Sequence, residues 1–299
     1  MDRDGRTTTA GRGSVLTQRL RAYSELYKLR LASLVVFSAV LGYLIAGGSF
    51  ELVPLLVLAL GGTMVTGASN AINQVIERDI DAKMNRTKGR PLPTDRLSVL
   101  ESLIAAGLSG VGGLLLLTVG FGSLVGILAA ISLISYAFIY TPMKRVSRIA
   151  GFVGAIPGAL PPMIGAVAVT GEMTYLAVVL FVFQFVWQFP HFWAIAWLQH
   201  DDYRSVGILL LPASGKTRRS AVIILAYTSL LMVLPVILLV QGILSPVAAG
   251  LLFWAGLMFT GEAVRLWREP TDERARKLMF ASFWYLPLML VTFLIDAVL

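Results

Sequence analysis

Apolar residues run along this chain in unbroken blocks, and the polar residues gather between them. The blocks cover residues 31–48, 52–76, 99–119, 124–140, 149–169, 175–198, 221–240, 246–264 and 279–298. About 20 residues of α-helix cross the hydrocarbon core of a bilayer, so each block predicts one transmembrane helix. The runs are continuous, not alternating, which argues against a membrane β-barrel. The expected fold is an all-α integral membrane domain over residues 31–298, with nine transmembrane helices around a central cavity. Residues 1–30 precede it as a mobile tail (1–15) and a short amphipathic lead-in (18–30) along the membrane surface.

The placement of positive charge tests that count. With nine spans and a cytoplasmic N-terminus, the cytoplasmic segments are 1–30, 77–98, 141–148, 199–220 and 265–278. They hold 7, 6, 3, 4 and 5 Lys and Arg, which is all 25 in the protein. Basic residues mark cytoplasmic loops, and the asymmetry here is complete. The C-terminus then falls on the opposite side. Net charge of +8 is thereby accounted for by orientation in the membrane, not by nucleic-acid binding. The absence of cysteine excludes disulfides, thiolate metal sites and cysteine catalysis.

The polar residues on this face carry the candidate chemistry. Asn73, Glu77 and Asp81 stand four apart at the end of the second span. Steps of four on a helix turn by about 400°, so the three side chains share a face as a stripe of hard oxygen donors. Arg86, Lys88 and Arg90 follow directly. Such a set suits Mg²⁺ bridging carboxylates to a diphosphate, with the cations neutralising the remaining charge. A topology-setting loop with charges of both signs is the plainer reading of the same residues.

Two more clusters lie on the same side. Tyr140 and Lys144 end the fourth span with Arg145 beside them, and Pro142 predicts that the helix stops between the first two. Lys144 and Arg145 are further candidate diphosphate ligands, or an interfacial tyrosine with topology-setting cations. Trp187, Gln188 and His191 sit in the otherwise apolar sixth span around Pro190. Polar groups in a membrane helix are costly and face a cavity or a partner. Asp201 and Asp202 follow, as a second acidic site or as solvated loop acids. Glu262 and Arg265 read as an ion pair. Glycines and prolines through residues 151–165 predict a kinked, closely packed fifth span that lines the cavity.

Taken alone, these features also fit a secondary transporter, although no inverted repeat is visible and the polar residues gather at one face rather than at the midplane. The order and spacing of the clusters resemble the UbiA superfamily of intramembrane prenyltransferases over about residues 20–298. Asn73, Glu77 and Asp81 match its first acidic motif, and Tyr140 with Lys144 its Tyr-x₃-Lys element. The Arg-Thr-Lys-Gly-Arg-Pro-Leu-Pro run from Arg86, the Trp-Gln-Phe-Pro-His-Phe segment from Trp187 and the stretch 202–212 resemble the branch that farnesylates haem. The regular second Asp-x₃-Asp pair of quinone-pathway relatives is missing; Gln188, His191, Asp201 and Asp202 stand in that region.

The resemblance implies transfer of a farnesyl group from farnesyl diphosphate to a vinyl group of protohaem IX, with addition of water. It implies Mg²⁺ on Asn73, Glu77 and Asp81, and diphosphate on Arg86, Lys88, Arg90, Lys144 and Arg145. Asp81, Glu77, His191 and Lys144 are the expected catalytic residues. Trp187, Gln188 and His191 are expected at the acceptor, with haem as substrate and not as resident cofactor. A bacterial plasma membrane with a cytoplasmic active site, membrane lipid as surroundings, and handover of product to a haem A synthase or terminal oxidase are also expected. The alternative within the superfamily is another aromatic or tetrapyrrole acceptor.

Overall fold

The computed structural model describes residues 10–299, with side chains from residue 15. The part of the expected tail at residues 1–9 lies outside the described residues; from Ala10 the chain is helical. The described residues form α1 (Ala10–Tyr27), α2 (Leu29–Ile45), α3 (Leu52–Ile76), α4 (Arg78–Asp81), α5 (Val99–Phe121) and α6 (Ser123–Ile134). A π-helical turn (Ser135–Tyr140) and α7 (Thr141–Met143) continue α6. Then follow α8 (Ala150–Thr170), α9 (Tyr175–Leu198), α10 (His200–Ser205), α11 (Arg218–Val240), α12 (Pro246–Arg268) and α13 (Asp272–Val298).

Eight of these are long and apolar enough to cross a membrane, taking α6 to α7 as one span. The ninth is shorter than expected: α2 has 17 residues and reaches spanning length only together with α1, from which it is bent by 51°. The bend has a local cause. Lys28 adopts left-handed backbone angles (φ 48°, ψ 52°), which no helix can carry through. The lead-in is also less superficial than its composition implies. Ala22 and Leu26 of α1 are buried against Ala71 of α3, Ala106 of α5 and Leu92 and Leu97 of the loop between them. Arg19 pairs with Glu101, and Arg96 with Glu25, across the same contact.

The helix ends between Tyr140 and Lys144, as Pro142 predicts: α7 stops at Met143 and residues 144–146 form a turn. The chain passes through the π turn, and the Thr141 hydroxyl donates to the Tyr136 carbonyl five residues back (2.8 Å). The same carbonyl accepts the Thr141 backbone N–H, the i to i−5 bond of the wider turn, and Pro142 sits in the single α-helical turn that follows.

Of the eight long apolar spans, α8 and α9 are the most enclosed and α5 the least. Glycine sets how closely α2 and α8 cross. A Cβ on Gly42 would strike the Pro162 backbone, and one on Gly165 the Ala39 carbonyl. Small residues let membrane helices approach backbone to backbone in this way. The prolines of α8 (Pro157, Pro161, Pro162) sit inside a continuous helix.

Alternate helix ends meet on common faces, as the charge pattern requires. At one end Asn73 bonds Thr141 (3.0 Å) and Asp202 reaches residues 85 and 86. At the other, Tyr175 bonds Gln241 (2.8 Å) and the Asp296 carboxylate accepts from the Ser245 N–H.

Candidate functional site

Asn73, Glu77 and Asp81 do share one side, although not on one unbroken helix. α3 ends at Ile76, and Glu77 (φ −101°, ψ 6°) separates it from the single turn of α4. Register survives the break because Glu77 N–H donates to the Asn73 carbonyl (3.0 Å) and Asp81 N–H to the Glu77 carbonyl (2.8 Å). The Asn73 amide donates to Glu77 Oε2 (3.1 Å) and to Thr141 Oγ1 (3.0 Å).

Both carboxylates are sealed from solvent and each faces a cation. Lys144 Nζ lies 2.6 Å from Glu77 Oε1 and 2.7 Å from Oε2. Arg90 Nη1 lies 2.6 Å from Asp81 Oδ2. A buried carboxylate without a partner carries a desolvation cost of several kcal/mol, which these contacts offset. Lys28 adds a third cation, 3.4 Å from Asn73 Oδ1. Reading the sequence by local spacing missed it, because Lys28 and Asn73 meet only when α2 folds against α3.

The basic run is held as a compact series of turns. Thr87 donates its hydroxyl to the Asp81 carbonyl (3.0 Å), which brings Arg90 back over Asp81. Arg86 and Lys88 are exposed; Lys88 bonds Asn85 (3.0 Å), and Arg86 bonds the Tyr203 hydroxyl (3.3 Å). Arg145 is exposed. Tyr140 is half-buried, with Lys144 5.5 Å from its ring centre, in space left by the missing side chain of Gly154.

Asp201 and Asp202 are placed differently from each other. Asp201 is exposed. Asp202 accepts from the backbone N–H of Asn85 (2.9 Å) and of Arg86 (3.0 Å), one on each oxygen. The Arg86 N–H, then that of Asn85, and the charges of Arg86 and Lys88 hold its carboxyl below the usual carboxylate range. Its visible work is therefore to clamp α10 onto the basic loop, where a half-site for a second cation was expected. Met84 and Ile80 pack on Ile208 in the same contact.

Trp187, Gln188 and His191 are all buried in α9. Gln188 donates to the Ala155 and Gln184 carbonyls (3.1 and 3.3 Å). Its Oε1 is buried without a partner, in space opened by Gly158. Trp187 donates to the Ser282 carbonyl (2.9 Å) and stacks on His191 at 4.7 Å. Phe152, Phe189, Trp193 and Tyr227 form an adjoining aromatic cluster. Glu262 and Arg265 form an ion pair on α12.

Among the described residues, no three His, Cys, Asp or Glu side chains converge as a complete metal set. The Asn73 amide is bonded to Glu77, Asp81 follows one turn further on, and Asp81 Oδ1 is buried with no hydrogen-bond partner. That oxygen fits a hard cation which takes its remaining ligands from a substrate and water, as Mg²⁺ commonly does.

The model of the UbiA prenyltransferase family matches residues 35–286. A protein named "Protoheme IX farnesyltransferase" from Cytophaga hutchinsonii is 42% identical over 285 residues, covering 95% of this chain and all of the relative. One of the same name from Flavobacterium johnsoniae is 45% identical over 282 residues, covering 92% of this chain and 93% of its own. In fold, the chain is similar to a digeranylgeranylglyceryl phosphate synthase (TM-score 0.78, 19% identity, 94% of this chain and 99% of that one). It is also similar to a UbiA homolog from Archaeoglobus fulgidus bound to GPP and Mg²⁺ (TM-score 0.68, 14% identity, 91% and 99%).

Proposed function

The chain belongs to the UbiA prenyltransferase family and is a multi-span membrane enzyme, and on that premise we propose that it farnesylates haem. The donor is farnesyl diphosphate, the acceptor a vinyl group of protohaem IX, and water supplies a hydroxyl. The observation that carries this reading is identity of 42–45% over more than nine-tenths of the chain to proteins named for that reaction. The single-domain reading of residues 31–298 belongs to the same proposal.

Asn73, Glu77 and Asp81 hold Mg²⁺, which when bound neutralises diphosphate oxygens as negative charge builds on the leaving group. Lys144 and Arg90, ion-paired with Glu77 and Asp81, also serve the diphosphate. Arg86, Lys88 and Arg145 are exposed at the same face and complete its neutralisation. Fixed charges of this kind stabilise the departure of diphosphate in a site that excludes water. The C1–O bond breaks with its electron pair leaving on the diphosphate. The vinyl π electrons then form the new C–C bond to C1. Water adds to the resulting cation beside the porphyrin ring and loses one proton. The aromatic cluster around Phe189 suits a cationic prenyl group, since ring faces attract positive charge. Trp187, Gln188 and His191 hold the acceptor. The complete Lys and Arg asymmetry supports an orientation with this face cytoplasmic, in what we take to be a bacterial plasma membrane.

Purified protein given protohaem and farnesyl diphosphate labelled in the farnesyl group tests the reading. Label enters the haem fraction only with Mg²⁺ and stops entering with EDTA. Release of diphosphate without labelled haem overturns the acceptor and leaves the prenyltransferase class standing.

A further inference from the structure

The His191 imidazole has one ring nitrogen engaged. Nδ1 lies 2.8 Å from Ser282 Oγ on α13. Ser282 is fully buried, and its hydroxyl lies 2.5 Å from the Met279 carbonyl, to which it donates. A serine hydroxyl has one proton. With that proton on Met279, Ser282 can only accept from His191, so Nδ1 carries the hydrogen. Nε2 then holds the lone pair of a neutral imidazole. It has no hydrogen-bond partner in the protein and is not among the polar atoms sealed from solvent. The ring is fixed in plane by Trp187 on its face (4.7 Å, 14°) and Phe283 at its edge (5.1 Å, 64°). Trp187 is tied to the same residue, through the Ser282 carbonyl.

We infer that Ser282 is a positioning residue: it fixes His191 as the Nδ1–H tautomer and turns the Nε2 lone pair outward as an axial ligand for the iron of the haem acceptor. The inference rests on haem being the acceptor. A histidine that donates its second ring proton to a fixed acceptor is oriented and more basic, as ligands of bound metals generally are. Coordination also keeps a nucleophilic nitrogen from reacting with the allylic cation.

Because the protein has only two histidines, His191 and His200, ¹⁵N-histidine labelling reads the tautomer directly, with His200→Gln assigning the signals. In the full-length protein in lipid nanodiscs, His191 is expected as neutral Nδ1–H, and Ser282→Ala is expected to mix the tautomers. Ferric protohaem titrated into the same preparations is expected to give an imidazole-ligated electron paramagnetic resonance signal. His191→Ala abolishes that signal, Ser282→Ala weakens binding about 10-fold or more, and Ser282→Thr retains it. Thermal unfolding checks the fold; if Ser282→Ala does not fold, Ser282→Thr and the wild-type tautomer decide. An Nε2–H tautomer in the wild type, or ligation unchanged in folded Ser282→Ala, overturns the inference. Haem that binds and is farnesylated with no imidazole signal overturns it too, leaving the proposed reaction intact. If the wild type farnesylates some other acceptor, the proposed reaction itself fails.

Discussion

Lys144 Nζ lies 2.6 Å from Glu77 Oε1, joining the end of α3 to the end of the span that follows α5. Both side chains are nearly sealed, with 12% and 3% exposed, so this pair is not a solvated surface bridge. Replacing Lys144 with Met leaves Glu77 charged and uncompensated, which costs about 3–5 kcal/mol for buried pairs. Pairing the change with Glu77→Gln removes the stranded charge and is expected to return most of that stability. Turnover stays lost in both. Thermal unfolding set beside the rate separates the two roles; recovery of both together would mean the pair is structural only.

Asp81 has one oxygen on Arg90 and the other unpaired. Asp81→Asn keeps the shape and removes the charge a cation needs. Turnover is expected to fall about 10²–10³-fold, the usual cost of losing one preorganised electrostatic contact. The Mg²⁺ concentration for half-maximal rate is expected to rise. Activity within a few-fold of wild type removes Asp81 from the metal site.

Asp202 clamps two backbone N–H groups of the basic loop. Asp202→Ala frees that loop, so amide exchange over residues 84–90 accelerates and KM for farnesyl diphosphate rises. Misplaced binding groups of this kind cost up to about 100-fold. Its lowered carboxyl value gives a direction with pH. The clamp contributes fully above the ordinary carboxylate range and is lost only as pH falls through its depressed value. Loop protection factors, with the intrinsic pH dependence of amide exchange divided out, that stay constant from neutral pH to about pH 5 agree with this.

Gly158 leaves the space that Gln188 Oε1 fills. Gly158→Ala overpacks the contact between α8 and α9, at a cost of about 1–3 kcal/mol. Shortening Gln188 to Ala in the same chain is expected to restore part of the unfolding temperature. A Gly158→Ala protein as stable as the wild type contradicts the contact.

The spans and the gathering of the polar clusters at one end were legible because each depends on local signals: apolar run length, Lys and Arg placement, and steps of four. Asn73, Glu77 and Asp81 kept their common side even where α3 broke, since the i to i−4 bonds run through those residues. Contacts made by distant segments left no local trace. Nothing in the chain marks Lys28 as a neighbour of Asn73, or Ser282 as the partner of His191. Asp201 and Asp202 are the same residue type side by side, and only the loop docked against α10 tells them apart. Pro142 did mark the end of its helix, which runs on only to Met143, but the π turn before it leaves no local trace.

The most direct test of the central claim is a mass spectrum of haem extracted after turnover by the purified protein in H₂¹⁸O, with protohaem, farnesyl diphosphate and Mg²⁺. The account predicts haem heavier by one farnesyl group and one hydroxyl carrying ¹⁸O, formed about 10²–10³-fold more slowly by Asp81→Asn. Unaltered haem alongside consumed farnesyl diphosphate, or farnesylated haem with no solvent oxygen, contradicts it.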